Sequence, residues 1–158
     1  MQKKNFWYFF YVNPTIGPIY TDIINKELVQ FSIDDNYRSI PNLIDGLKES
    51  QRKILFACFK KNINNEIKVS NLSGIISQIS EYHHGEMSLN STIIKLAQNF
   101  PCSNNINLLL PVGRFGSRQA NGDDYAAPRY IFTKINPITH FIYNKLDYDV
   151  LDFNYSEG

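Results

Sequence analysis

Ile23, Ile24, Leu28 and Phe31 repeat at the 3.6-residue period of a helix, which predicts a first helix beginning near Thr21. Thr21 or Asp22 is placed to cap its exposed amides. Asn13-Pro14 and Gly17-Pro18 break the chain before it. Residues 34 to 45 lack that period and read as a loop, with Ile40 biased toward extended geometry by Pro41. A second helix is expected from Leu47 to Lys60, apolar along Leu47, Ile54, Leu55 and Cys58, with Lys48 and Arg52 one turn apart on the other side.

The centre of the chain holds two further stripes. Leu72, Ile75, Ile76 and Ile79 form one, and Leu89, Ile93, Leu96, Ala97 and Phe100 the other. His83-His84-Gly85 falls between them as a turn, with Gly85 available for positive φ. Two short helices about such a turn are the core of helix–turn–helix DNA binders, and equally of αα-hairpins that only pack. After Phe100 the period changes. Residues 107 to 112 can start an extended segment, Gly113, Gly116 and Gly122 loosen the stretch after it, and Arg129 to Thr133 read as a returning strand. Asn136-Pro137 then caps a last helix expected to turn Ile138, Phe141 and Ile142 inward. The pattern predicts an α+β, mainly helical fold: a helix–turn–helix or winged-helix domain over residues 19–158 with a short β wing. Residues 1–18 form an N-terminal segment of unknown role.

Composition narrows the classes. Two cysteines, Cys58 and Cys102, give no disulfide framework and are expected to be reduced inside a cell, with Cys58 as core filler. The apolar run Phe6 to Val12 after Lys3-Lys4 lacks a small-residue cleavage site and is too short to span a bilayer, so it reads as a strand or a hydrophobic leader. A net charge of +1 does not mark a strongly basic nucleic-acid binder. Its distribution is uneven, however. Residues 36 to 61 carry six cations against two anions, and residues 145 to 158 one cation against four anions. The first stretch is either a solvated helix face or a patch able to dock a phosphate backbone.

Candidate chemistry centres on Arg129-Tyr130 and on His83-His84. A phenol can attack phosphorus, a guanidinium forks onto phosphate oxygens, and an imidazole can move a proton. One of ten tyrosines more often buries its ring and bonds its hydroxyl. In a flat strand Arg129 and Tyr130 would point to opposite faces, and Pro128 suggests a strand entrance or bulge where that alternation fails. His83-His84 with Glu86 is a poor zinc signature, and neither cysteine stands at ligand spacing. Asp123 and Asp124 read as a solvated wing tip rather than a metal pair. No Walker pattern surrounds the glycines.

Several motifs together carry a resemblance. They are Arg38-Ser39-Ile40-Pro41-Asn42-Leu43-Ile44-Asp45-Gly46-Leu47-Lys48 with Gln51-Arg52-Lys53, Tyr82-His83-His84-Gly85-Glu86, and Leu96-Ala97-Gln98-Asn99-Phe100 with Ser103-Asn104-Asn105. Gly113-Arg114-Phe115-Gly116-Ser117-Arg118 and Ala127-Pro128-Arg129-Tyr130-Ile131 complete the set. In order and spacing they resemble the breakage–reunion region of eukaryotic-type type IIA DNA topoisomerases, from about Tyr20 to about Tyr155. Lys48-Glu49-Ser50-Gln51 departs from the usual Lys-Pro-Gly-Gln, and the wing segment 121–124 has an acid where relatives usually carry lysine.

The resemblance implies that Tyr130 is the nucleophile, that Arg129, His83 and His84 face the cleaved phosphate, and that Arg38, Lys48, Arg52 and Lys53 contact the DNA backbone. It implies double-stranded DNA as partner, a homodimer in the complete enzyme, and a nuclear location with no membrane. Magnesium and ATP would be held by Toprim and ATPase modules that this stretch lacks, so that the chain reads as a piece of the enzyme. Two rivals stand beside it: a non-catalytic winged-helix DNA-binding module, and an inactive product of a split or truncated topoisomerase gene.

Overall fold

The computed structural model describes residues 20–82 and 85–150, which fall into two compact units, 1–49 and 50–158. In the first, helix α1 (Tyr20–Asp22) runs through a π-helical segment (Ile23–Leu28) into α2 (Val29–Ser39). Asp22 therefore lies inside the helix and caps nothing; its carboxylate meets Lys26 at 2.7 Å. The loop expected from residue 34 starts only at Ile40. Gln30 bonds Asp34, and Asp35 accepts from both Arg38 and Ser39, so side chains one turn apart extend the helix. Ile40 before Pro41 is extended and ends it, as its position predicts. The apolar residues Ile24, Leu28 and Phe31 are exposed. A hydrogen-bonded loop comes next, closed by Asn42 N–H on Leu47 O and Gly46 N–H on Asn42 O.

In the second unit, α3 (Glu49–Lys60) starts two residues later than its apolar pattern predicts and buries Ile54, Leu55, Ala57 and Cys58. Burial pushes the Cys58 thiol up to about 12, so it stays protonated as filler. Strand β1 (Ile67–Lys68) leads directly into α4 (Val69–Ser80), and α5 (Glu86–Ala97) is the next helix. Strands β2 (Leu109–Val112) and β3 (Phe132–Ile135) complete an antiparallel sheet of order β1-β3-β2, with Leu109 opposite Ile135 and Ile67 opposite Thr133. This is the expected winged-helix arrangement. Leu72, Ile76, Leu89, Ile93, Ile94 and Leu109 are fully buried where the two helices meet the sheet, and Ile131 joins them. At the turn between α4 and α5 the left-handed residue is Glu81 (φ 47°), while Gly85 is the N-cap of α5 at φ 12°. His83 and His84 lie outside the described residues.

The end of α5 organises the chain beyond it. Asn104 Nδ2 donates to Lys95 O and Gln98 O, and Ser103 Oγ donates to Gln98 O and Phe100 O, so carbonyls that helix ends leave unpaired are satisfied. The buried Gln98 side chain reaches the wing: its Nε2 donates to Phe115 O and to Gly122 O, each at 2.9 Å. A Cβ at Gly122 would collide with the Gln98 amide, and one at Gly116 would stand 2.7 Å from Gly122 Cα. The two glycines are therefore required for close approach as well as for their positive φ.

The last helix departs from its expected orientation. Helix α6 (Thr139–Ile142) is a single turn, followed by a 3₁₀ segment (Lys145–Val150). Asn136 serves as expected at its start, accepting from Ile138 N–H. Ile138, Phe141 and Ile142 are exposed, and the residue turned inward is Thr139, whose hydroxyl donates to Leu108 O at 2.7 Å. One turn presents one position to the core, and there the Thr139 hydroxyl joins Asn136 N–H as a second donor on the Leu108 carbonyl.

Two substitutions measure the polar interior. Gln98→Ala leaves two carbonyls without their donor and is expected to lower unfolding stability by about 2–4 kcal/mol in urea titrations. Asn90 Oδ1 is buried and unpartnered among the described residues, so Asn90→Leu is expected to raise stability by roughly 1 kcal/mol. The opposite sign in either case contradicts this assignment of hydrogen bonds.

Candidate functional site

Arg129 and Tyr130 do not lie in a strand, since β3 begins at Phe132. Tyr130 N–H donates to Ala127 O at 2.9 Å, closing a turn over Ala127-Pro128-Arg129-Tyr130. Pro128 occupies its second position, where a fixed φ favours the turn and a missing N–H costs nothing. The strict alternation of a strand is thereby lost. The Arg129 guanidinium carbon sits 4.9 Å from the Tyr130 ring centroid, so the two side chains stack instead of diverging. Tyr130 is 66% exposed, and its hydroxyl has no hydrogen-bond partner among the described residues.

The turn is anchored to the helix–turn–helix. Val69 N–H donates to Ile131 O at 3.0 Å and Ser70 N–H to Pro128 O at 3.3 Å. These amides belong to the first turn of α4 and have no partner within the helix. The tyrosine segment thus supplies the acceptors that the helix start needs. Ser70 also lines a groove of about 410 Å³ along α4 with Ser73, Gly74 and Ser77, closed by Tyr82, Gly85 and Glu86 on the far side of the turn. Tyr82 Oη and Ser88 Oγ are 3.5 Å apart beside it. The sequence signal for this groove is small residues one turn apart at Ser70, Ser73 or Gly74, and Ser77, which the apolar pattern passes over.

The wing carries the second unexpected feature. Asp124 is not part of a solvated tip. Its Oδ1 accepts from Ser117 N–H at 2.6 Å, and its Oδ2 accepts from Ser117 Oγ at 3.0 Å and from Arg114 at 2.9 Å. The Arg114 hydrogen bond, followed by that of the Ser117 amide, brings the carboxyl down to about 2. Ala126 N–H in turn donates to Arg114 O, continuing the tie toward the tyrosine turn. With both oxygens of Asp124 occupied, the Asp123-Asp124 pair does not suit a divalent cation. Among the described residues no three His, Cys, Asp or Glu side chains gather as a metal site.

The four cations expected on DNA are divided between the units. Arg38 and Lys48 belong to the first, Arg52 and Lys53 to the second. Arg38 pairs with Asp35 at 2.8 Å within its own helix, and this hydrogen bond lowers the Asp35 pKa. Among the described residues no helix is long and apolar enough to cross a membrane.

Comparison with known proteins bears on this arrangement. The family model for the A subunit of DNA gyrase/topoisomerase IV matches residues 38–158, which include the tyrosine turn, the helix–turn–helix and the wing. The chain belongs to this family. It is 52% identical over 150 residues to DNA topoisomerase 2-alpha of Cricetulus griseus, covering 95% of this chain and 10% of that protein. It is 56% identical over 139 residues to the mitochondrial DNA topoisomerase 2 of Dictyostelium discoideum, covering 88% of this chain and 11% of that protein. The crystal structure of the Plasmodium falciparum topoisomerase II DNA-binding, cleavage and re-ligation domain superposes with a TM-score of 0.80 at 52% identity, over 87% of this chain and 19% of that one. The chain thus spans about a tenth of the length of the curated relatives it matches.

Within this family fold, the Asp124 tie has a definite pH dependence. Its folded-state pKa is depressed from 3.8 to about 2, so its stabilising effect is present above 3.8 and is lost as pH falls through about 2. The Ser117 amide proton resonance is expected to move with a midpoint near 2, and Asp124→Asn to abolish that transition. A midpoint at the ordinary carboxylate value of 3.8 would show that the tie is not formed.

Proposed function

We propose that this chain is the DNA cleavage–religation part of an ATP-dependent type II DNA topoisomerase, with residues 19–158 as its winged-helix breakage–reunion region. The observation that carries the reading is the exposed Tyr130 stacked on Arg129, in a turn hydrogen-bonded to the first helix of the helix–turn–helix. A tyrosine kept for packing alone would bury its ring and bond its hydroxyl.

In the proposed reaction the Tyr130 oxygen attacks a DNA phosphorus and loses its proton. The bond from phosphorus to the 3′ oxygen breaks, and that oxygen leaves as a hydroxyl after taking up a proton. The product is a 5′-phosphotyrosyl ester. One phosphodiester replaces another, so religation is the same exchange in reverse and needs no ATP. Arg129 stands beside the phenol and binds the phosphate oxygens as charge builds on them. His83 and His84 are assigned to proton handling or hydrogen bonding at that phosphate. Arg38, Lys48, Arg52 and Lys53 are assigned to the backbone of the cut duplex, where Arg38 exchanges its Asp35 partner for phosphate.

The complete enzyme is proposed to be a nuclear homodimer acting on double-stranded DNA. Toprim and ATPase modules of the same enzyme would bind magnesium and ATP. In the complete enzyme, Tyr130→Phe is expected to abolish cleavage while non-covalent DNA binding and the fold survive. Arg129→Ala and His84→Ala are expected to slow cleavage by about 10²-fold or more without abolishing it, as for other groups that stabilise charge or move protons. Cleavage that persists in Tyr130→Phe would overturn the assignment.

A further inference from the structure

The chain contains one asparagine followed by a glycine, Asn121-Gly122, and the pair stands in the wing loop between β2 and β3. In that order an asparagine can modify itself. The nitrogen of the next residue attacks the side-chain amide carbon, and a glycine, having no Cβ, leaves its nitrogen unshielded. Asn121 is exposed, and its side-chain amide has no hydrogen-bond partner among the described residues to hold it back. The backbone opposes the reaction instead. Gly122 N–H donates to Ser117 O at 2.9 Å, which occupies the attacking nitrogen. Asn121 is left-handed, with φ 50° and ψ 25°, and this turns the Gly122 nitrogen toward the backbone nitrogen of Asn121 and away from its Cβ. Gly122 has little freedom to swing round. Its carbonyl accepts from Gln98, and neither Gln98 nor Gly116 leaves space beside its Cα.

We propose that Asn121 is a covalent modification site that the closed wing keeps unreactive, so that it converts to aspartate or isoaspartate only in chains whose wing has opened. In the first step the Gly122 nitrogen bonds to Asn121 Cγ, the Cγ–Nδ2 bond breaks, and the displaced nitrogen takes up the Gly122 amide proton and leaves as ammonia. Water then adds to the cyclic imide. Opening at Cγ gives aspartate, and opening at the Asn121 backbone carbonyl carbon gives isoaspartate. No electrons are transferred, and water is the one co-reactant. Both products add a negative charge beside Asp123 and Asp124. Isoaspartate also routes the backbone through Cβ, which lengthens it where Gln98 and Gly116 leave no space, so the wing cannot reclose. A transient opening becomes a permanent one. The inference uses the wing geometry alone and goes beyond the proposed function.

The test is the rate of conversion in the full 158-residue chain, incubated at mildly alkaline pH with and without urea. Trypsin releases residues 119–129, a peptide whose one asparagine is Asn121, and mass spectrometry with fragmentation counts asparagine, aspartate and isoaspartate in it. Conversion is expected in urea and to be slower in the folded chain by about 10²-fold, as for a segment that reacts only through local opening. Asp124→Asn loosens the side-chain tie on Ser117 and is expected to speed conversion of Asn121 in the folded chain by about tenfold. Asn121→Asp changes an exposed side chain without a partner, so its melting temperature should match the wild type, whereas chains enriched in isoaspartate should melt lower. Equal rates in folded and unfolded chains, or no conversion in urea, overturn the proposal. A folded Asp124→Asn chain that converts no faster than wild type overturns it as well, because the wing would not be the restraint.

Discussion

A single side-chain amide holds the second unit together at its least regular point. Gln98 comes directly after the last residue of α5, is buried, and gives both protons of its amide to carbonyls on opposite arms of the wing. A buried carbonyl without a donor is costly, and a loop of this kind has no ladder to supply one. The requirement spreads outward from there. Gly122 has no room for a side chain beside Gln98, Gly116 has none beside Gly122, and the carbonyl of Gln98 itself is capped by Ser103 and Asn104. Short motifs that look unrelated along the chain are one hydrogen-bonded assembly in space.

From that assembly the chain passes through Asp124 and Ala126 to the tyrosine turn, which then lands on the start of α4. The two central helices, wing and turn are therefore connected by side-chain and backbone hydrogen bonds and not only by apolar packing. Such bonds are directional, whereas burial of the Leu and Ile core is not. The phenol proposed to attack phosphorus would benefit from the directional kind of support. The stacking of Arg129 on Tyr130 belongs to the same logic. It comes from replacing a strand by a turn, and Pro128 is the residue that makes the replacement favourable.

Most of the regular structure was legible in the sequence, because it derives from apolar period. Leu72 and Ile76, then Leu89, Ile93 and Leu96, announced the two central helices and are buried where that pattern puts them. Ile40 before Pro41 ended a helix for a local reason. The features that the pattern could not reveal depend on carbonyls, which every residue has and no residue type advertises. Gln98 bonds partners 17 and 24 positions away, and Thr139, not Phe141, faces the core with its hydroxyl on Leu108 O 31 positions back. Asp124 looked like a solvated acid until the fold brought Ser117 and Arg114 to it. Arg129 and Tyr130 were visible as chemistry but not as geometry: the turn that brings them together ends just before β3 begins at Phe132. Of the remaining candidates, His83 and His84 were marked by their motif, and their flanks Tyr82 and Gly85 border the groove on α4.

The central claim is that this turn exists to present one particular phenol. The most direct measurement restores the segment to a complete enzyme, traps the covalent DNA adduct with denaturant, and maps the modified peptide. Ten tyrosines are available, and Tyr125 lies only five residues away in the same loop. The account predicts a nucleotide remnant on Tyr130 alone, joined through a 5′ phosphate. Attachment at Tyr125 or any other tyrosine would contradict it.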